Sequence, residues 1–254
     1  MVPVVSELDA DVSPEVQAAA LRVYGGVANH AGDDELAESL YRQSLAEYER
    51  MGDELGVAVV TVHLAHNAWY RGDVDGATQL ARTGLDAGRR LGHAKVEAQA
   101  LGVLGDLEFE KGMHEPGLAD LEESAELARR VDFVWWEARM YLRLAKRYRE
   151  IGRTAAARTH ARDCLRLAAA MPDHRRIVQA VDALAALAAD DGRLEPAGIL
   201  RGAVEAETAR NPLTAWSITT LPSGVSGDPG FVRQREEGLL LSLDDAVTLA
   251  LALA

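Results

Sequence analysis

The stretch Arg71-Gly72-Asp73-Val74-Asp75-Gly76-Ala77 decides the fold, because its glycine turn and the small residue that follows recur at a constant interval. The turn glycine returns every 40 residues, and a small residue stands five positions after each one. The glycines are Gly32, Gly72, Gly112, Gly152 and Gly192, and the small residues are Ala37, Ala77, Gly117, Ala157 and Ala197. Self-similarity at one period of this length is typical of repeat proteins, in which each unit buries its apolar face only against its neighbours.

Each period contains the start and stop signals of two helices. Ser13-Pro14-Glu15 provides an N-cap, a proline at the first helical position and an acid in the first turn, so a first helix is expected to about Asn29. Asp33 or Asp34 begins a second helix, which we expect to reach Met51. The later pairs are predicted at residues 54–70 and 74–91, 94–110 and 114–131, 134–150 and 154–171, and 174–189 and 194–210.

A large and a small apolar residue stand side by side at a fixed place in each first helix. Leu64-Ala65 and Leu104-Gly105 lie eight and seven residues before their turn glycines. A small residue at a helix contact lets the two helices of a pair approach closely. Because the apolar content is mostly alanine, leucine and valine, the composition also favours an all-α fold.

The sequence therefore predicts a right-handed α-solenoid of five helix-turn-helix repeats over residues 1–210, and a loop with a C-terminal capping helix over residues 211–254. The stretch from Thr214 to Gly230 is rich in residues typical of loops, and residues 231–237 are compatible with a short helix. Ser242-Leu243-Asp244-Asp245 resembles a capping box with an acid in place of glutamate. A cap is expected because the last repeat otherwise exposes its apolar face.

Charge, cysteine content and hydropathy limit the partners and the location of the chain. A net charge of -13 argues against direct nucleic-acid binding. Cys164 is the only cysteine, which excludes an intrachain disulfide and favours a cytoplasmic location; its place at a small position of the repeat predicts burial rather than reactivity. The N-terminus lacks the features of a signal peptide, and the apolar tail from Leu239 is too short to span a bilayer, so no membrane association is expected.

The turn glycine, the paired leucine and small residue, and the small residue after the turn resemble the tetratricopeptide repeat. That repeat usually has about 34 residues, whereas the unit here has 40 and lacks the closing proline. The positions at which that proline would stand are near Glu49, Arg89, Arg129, Ala169 and Ala209. The resemblance covers residues 13–210 and implies an α-solenoid.

Units of this length resemble the C-terminal regions of large bacterial regulators, namely signal-transduction ATPases of the maltose-activator type and LuxR-like and antibiotic-regulator-like transcription factors of actinobacteria. The tail from Glu237 to Val247 is similar to the C-terminal signature of many of these proteins. The sequence has no Gly-x-x-x-x-Gly-Lys-Ser/Thr motif and no basic reading helix, so ATP hydrolysis and DNA binding are not implied for it.

The resemblance implies a non-enzymatic sensor or interaction region that binds a protein, peptide or small effector in its concave face, as a fragment of a regulator or as the product of a separate gene. The alternative is a free-standing adaptor or peptide receptor that never had an ATPase domain. The open end of the first repeat is a place where an ATPase domain or a second copy, giving a homodimer, can dock. No cofactor is expected.

In tetratricopeptide repeats the first helix of each pair lines the concave face, so the resemblance also predicts which side chains meet a partner. The predicted binding residues are His66, Trp69, Gln99, Asp106, Phe109, Arg139, Lys146, Arg149, Gln179 and Asp182. The three cations of the fourth repeat are placed near Phe109 and Trp69. Cations beside aromatic rings in a concavity suit a peptide carboxylate or an acidic partner segment.

Interpretations of this region that involve no partner stay open. The three cations are alternatively a solvated face that pairs with neighbours such as Glu150 and Asp182. In Trp135-Trp136 one ring is expected in the core and the other as an exposed anchor. The acid pairs Glu122-Glu123 and Asp190-Asp191 are expected to be solvated.

His63 and His66 are the remaining candidates for chemistry, because residues three apart lie on one side of a helix. A metal site would need a third ligand, and the sequence offers none with suitable spacing nearby. No nucleophile motif such as Gly-x-Ser-x-Gly is present. We therefore expect no catalytic residues and no metal, with a metal protein or enzyme using this histidine pair as the third hypothesis.

Overall fold

The structure is a computed structural model that describes residues 12–211 and 219–253. These residues form paired helices without a β-strand, which confirms the predicted all-α fold. The helices are α1 (Pro14–His30), α2 (Asp34–Met51), α3 (Glu54–Tyr70), α4 (Val74–Leu91), α5 (Ala94–Glu110), α6 (His114–Arg130), α7 (Val134–Glu150), α8 (Thr154–Ala170), α9 (His174–Asp190), α10 (Leu194–Arg210), α11 (Pro229–Gly238) and α12 (Leu243–Ala252).

Aspartate side chains begin several of these helices at the places that the sequence indicates. Asp53 Oδ1 accepts a hydrogen bond from the Gly56 N–H at 2.9 Å, and Asp73 Oδ1 accepts one from the Gly76 N–H at the same distance. Asp33 caps α2 in the same way. Each carboxylate satisfies an N–H group that the first helical turn leaves without a partner, and its charge suits the positive end of the helix.

The turns between helices require the left-handed backbone region. All five turn glycines have positive φ, for example 80° at Gly72 and 73° at Gly192. Gly52 and Gly92 do the same between successive pairs, and Asp132 takes the equivalent place with φ 51°. Because a side chain is unfavourable in this region, the constant spacing of glycine follows directly from the geometry of the turn.

The described residues form two compact units, one up to residue 131 with α1 to α6 and one from residue 132 with α7 to α12. In the first unit each helix packs on the next along the chain, and residues such as Leu21, Tyr41 and Val60 form a core shared by α1, α2 and α3. The closest approach is between α5 and α6, where a Cβ atom on Gly105 would lie 2.7 Å from the carbonyl oxygen of Gly117. This contact explains why the repeat has small residues at both positions.

In the second unit α7 pairs with α8 and α9 pairs with α10, and the two terminal helices pack onto them. Helix α11 covers α10, and its Phe231 is only 1% exposed. The backbone of α11 lies against Gly198 and Gly202 of α10. Helix α12 begins as predicted at Ser242, whose Oγ accepts the Asp245 N–H at 3.1 Å. Sequence reasoning anticipated the cap but placed it on the last helix, whereas α11 makes the larger contact with α10.

Candidate functional site

The predicted binding residues fall into both units, five in each. In the first unit four of the five are buried: His66, Gln99, Asp106 and Phe109. Phe109 stacks on His114 at 4.5 Å between ring centroids, and Asp106 is only 1% exposed. In this conformation these four side chains belong to the interior of the first unit more than to its surface.

Trp69 is the more accessible of the predicted residues in the first unit. Its indole is half-buried, stacks on Tyr70 at 5.1 Å and donates an Nε1–H hydrogen bond to Glu110 at 3.1 Å. The His66 ring lies edge-on to it at 6.5 Å. This aromatic cluster at the end of α3 presents an apolar surface with one carboxylate at its edge.

The two histidines proposed as a metal pair have different neighbours. His63 lies parallel to the Tyr41 ring of α2, at 5.4 Å between centroids, whereas His66 contacts Trp69 and Tyr70 of its own helix. Residues 12–211 and 219–253 contain no group of three or more histidine, cysteine, aspartate or glutamate residues arranged to hold a metal ion.

In the second unit the aromatic residues at the start of α7 behave as expected. Trp136 is in the core at 1% exposure, whereas Trp135 is 42% exposed. Phe133 and Trp135 meet edge to face at 4.9 Å, and the Arg139 guanidinium lies over the Trp136 ring at 5.0 Å. Such a cation–π contact holds the arginine against the buried Trp136 ring.

Arg149 pairs with Asp190, one of the two neighbouring acids that the sequence predicts to be solvated. Its Nε and Nη2 donate to both carboxylate oxygens of Asp190, at 2.5 and 2.9 Å, and the two side chains are 22% and 21% exposed. Asp191 likewise pairs with Arg158. Asp190 and Asp191 are both exposed, as the sequence predicts, and arginines of α7 and α8 pair with them at the end of α9.

Asp182 is a buried carboxylate that contacts two partners of the same unit, Arg201 and Thr219. It is 3% exposed and forms an ion pair of 2.8 Å with Arg201 of α10, and both side chains are 4% exposed. Its other oxygen accepts the Thr219 N–H at 2.6 Å, and Arg201 donates to the Thr219 carbonyl at 2.6 Å. Asp182 therefore pairs with Arg201 of α10, whereas the alternative interpretation predicts a pair with the cations of α7.

Arg201 is the residue of this site that sequence reasoning missed. The resemblance predicts binding residues only on the first helix of each pair, whereas Arg201 lies on a second helix. The only available signal was a charged residue among buried neighbours such as Leu200 and Ala203. Lys146 and Gln179, which were predicted, are half-buried on α7 and α9.

Cys164 is fully buried in α8, as its position in the repeat predicts. Ser44 and Ser124 occupy the same repeat position and donate to carbonyl oxygens of Ala18 and Ala98 in the partner helices. Burial raises the pKa of the Cys164 thiol to about 12. A thiol with this pKa is a poor nucleophile near neutral pH.

The helix pairs and their left-handed glycine turns define the class of fold as a TPR-like helical-repeat solenoid. No protein-family model matches the chain, and no curated protein matches it in sequence. Within the described residues, no helix has both the length and the apolar character needed to span a membrane.

Several solved structures share the fold at low sequence identity. The Rap protein complexed with competence and sporulation factor is 16% identical with a TM-score of 0.73, over 96% of this chain and 68% of that one. BtubC from P. vanneervenii is 18% identical with a TM-score of 0.62, over 83% and 86% of the two chains.

A third similar structure is a signal transduction ATPase with numerous domains, with a tetratricopeptide repeat sensor, from Pyrococcus horikoshii. It is 17% identical with a TM-score of 0.62, and the match spans 96% of this chain but 39% of that protein. At these identities the similarity concerns the fold.

Proposed function

We propose that this chain is a non-enzymatic module that binds a protein or peptide partner through the first helices of its repeats, and that it serves as the sensor or interaction region of a bacterial transcriptional regulator. The proposal includes the division into five repeats over residues 1–210 and a loop with a cap over residues 211–254. A cytoplasmic location suits a chain whose single cysteine is a buried free thiol.

The observation that carries the proposal is the charge of α7. This helix contains five basic and two acidic residues, in a chain of net charge -13. Arg139 and Lys146 are half-buried on it, and the exposed Trp135 stands at its beginning. A basic helix with an exposed indole is suited to an acidic segment of a partner protein, which the indole anchors and the cations orient.

A library of displayed random peptides, selected on the full chain, tests this proposal. We expect acidic peptides to be enriched, and a double variant Arg139→Ala with Lys146→Ala to bind them at least about tenfold more weakly, since each exposed ion pair contributes up to about 1 kcal/mol. The matched control is Arg166→Ala with Arg42→Ala, two cations that pair within their own helices. Equal loss in both double variants, or unchanged binding in the first, contradicts the assignment to α7.

The regulator context is supported by the resemblance of the tail and by the similarity to an ATPase whose sensor consists of tetratricopeptide repeats. The alternative is a stand-alone adaptor or a receptor for a peptide or small effector. An immunoblot of the source cell separates them. A species much larger than 27.4 kDa favours a multidomain regulator with an ATPase domain in the same polypeptide, whereas a band at 27.4 kDa favours the adaptor.

A further inference from the structure

The segment before α11 is described from Thr219 onward and lies against the last helix pair. Helix α10 ends at Arg210, whereas Phe231 and Gln234 of α11 pack against Gly198, close to the beginning of α10. Thr219 lies beside the middle of α9, because its N–H donates to Asp182.

Residues 219–221 are held across α7, α9 and α10 through their main chain. The Thr219 N–H donates to Asp182 at 2.6 Å, Arg201 donates to the Thr219 carbonyl at 2.6 Å, and Arg149 donates to the Thr220 carbonyl at 3.1 Å. Recognition of N–H and C=O groups does not depend on side-chain identity, so the same groups suit any extended peptide.

Leu221 provides the apolar part of this contact. It packs with Val225 against a cluster formed by Ala188, Ala189 and Ala197 at the turn between α9 and α10. A cavity of about 400 Å³ adjoins the segment and is lined in part by Arg201, Thr219 and Leu221. The site thus combines main-chain hydrogen bonds with one apolar position and has room for other side chains.

The groups that recognise the segment are also held by contacts with side chains outside the segment. Asp182 and Arg201 hold each other at 4% exposure, and Arg149 is oriented by both oxygens of Asp190. Burying an ion pair is unfavourable unless its remaining donors and acceptors are also satisfied. The Thr219 peptide groups satisfy one acceptor and one donor of this pair, so the site favours occupation by some extended main chain.

We propose that residues 219–221 are an internal ligand, and that a partner protein binds by replacing them with an extended segment of its own that carries a large apolar residue at the Leu221 position. This inference rests on the proposed function and names the surface and the form of the partner. A tethered segment competes at an effective concentration of roughly millimolar, so it lowers the apparent affinity for a free peptide.

The test uses a fluorescently labelled peptide with the sequence of residues 216–224 of this chain, whose binding to the full chain is measured by anisotropy. We expect weak binding to the unmodified chain and about tenfold tighter binding to Leu221→Ala, because the loss of the anchor releases the internal segment. Thr219→Pro is a second variant that removes the N–H donated to Asp182, and it should act in the same direction. Equal affinity of all three chains overturns the inference.

A matched pair of arginine variants locates the peptide. In the Leu221→Ala background, Arg149→Ala should weaken peptide binding about tenfold. Arg158→Ala should not, although its side chain is equally exposed at 22% and pairs with the neighbouring Asp191. If the two variants have the same effect, the peptide does not occupy this surface.

The outcome of this peptide test can be distinguished from the outcome of the test of the α7 cations. If the chain binds acidic library peptides but not its own peptide, the internal ligand is contradicted and the proposed function stands. If the chain binds its own peptide, and the double variant Arg139→Ala with Lys146→Ala binds library peptides as the unmodified chain does, the internal ligand stands. The assignment of the binding surface to α7 is then contradicted.

Discussion

At the scale of single residues, Asp120 on α6 is a carboxyl group in an unfavourable position. Desolvation, followed by the nearby charges of Glu108 and Glu123, raises its pKa to about 6 against the opposing effect of Arg89. The folded chain therefore binds this proton more tightly than the unfolded chain does. The resulting stabilisation is present at low pH and is lost as the pH rises through about 6.

Asp120→Asn should therefore raise the melting temperature near neutral pH. Because the group is only half-buried, we expect a gain of about 1 kcal/mol, or roughly 2–4 °C, rather than the full value of the pKa shift. The gain should disappear below about pH 4, where Asp120 is protonated in both states. Thermal unfolding followed by circular dichroism at both pH values checks this, with the exposed Asp86→Asn as the control. A gain that does not depend on pH would contradict the assignment.

Asp132 is the second residue with a specific expectation. It has φ 51° at a place where Gly52 and Gly92 stand in other repeats. A side chain in this region costs about 1–2 kcal/mol. Asp132→Gly should raise the free energy of unfolding by about 0.5–1 kcal/mol, since the gain is partly offset by the greater freedom of the unfolded chain. Urea unfolding measures it; a decrease would show that the Asp132 side chain contributes more than its backbone strain costs.

At the scale of elements, the contact between α5 and α6 depends on two glycines. A Cβ atom at Gly105 would lie 2.7 Å from the Gly117 carbonyl oxygen. Because this oxygen belongs to the backbone, the clash is relieved only if one of the two helices shifts. Gly105→Ala should therefore lower the free energy of unfolding by about 1–3 kcal/mol despite the better helix propensity of alanine.

Gly26→Ala is the control for this prediction, measured by urea unfolding in the same way. A Cβ atom there would meet only the Tyr41 hydroxyl at 3.7 Å, which is an ordinary contact. Its effect should be neutral or stabilising by up to about 1 kcal/mol. If both variants are equally stable, the two helices do not pack as closely as the structure indicates.

Helix α11 depends on one buried aromatic residue for its position on α10. Phe231 is 1% exposed and packs with Ala188, Ala189 and Ala197. Phe231→Ala should lower the free energy of unfolding by about 3–5 kcal/mol and increase the binding of a hydrophobic dye, because the covered face of α10 becomes accessible. Leu240→Ala is the control, since that side chain is already 89% exposed. Similar dye binding by both variants would show that α11 does not protect α10.

At the scale of the whole molecule, the fold was predictable because it depends on local rules that repeat. Turn glycines, aspartate caps and small contact residues recur in register, and each predicted end of the ten repeat helices lies within one residue of the observed one. The candidate site was less predictable. The contacts of Arg149, Asp190 and Arg201 form only when helices that are distant in sequence pack together. The periodicity of the sequence contains no information about the position of Thr219 on these helices.

The contact of α11 with α10 also bears on how such a protein changes in length during evolution. The terminal helices pack on α8, α9 and α10. A gain or loss of one whole 40-residue unit before α7 would leave all of these contacts in place. Duplication and deletion of units are therefore compatible with an unchanged C-terminal end, and the number of repeats is free to vary while the last two remain constant.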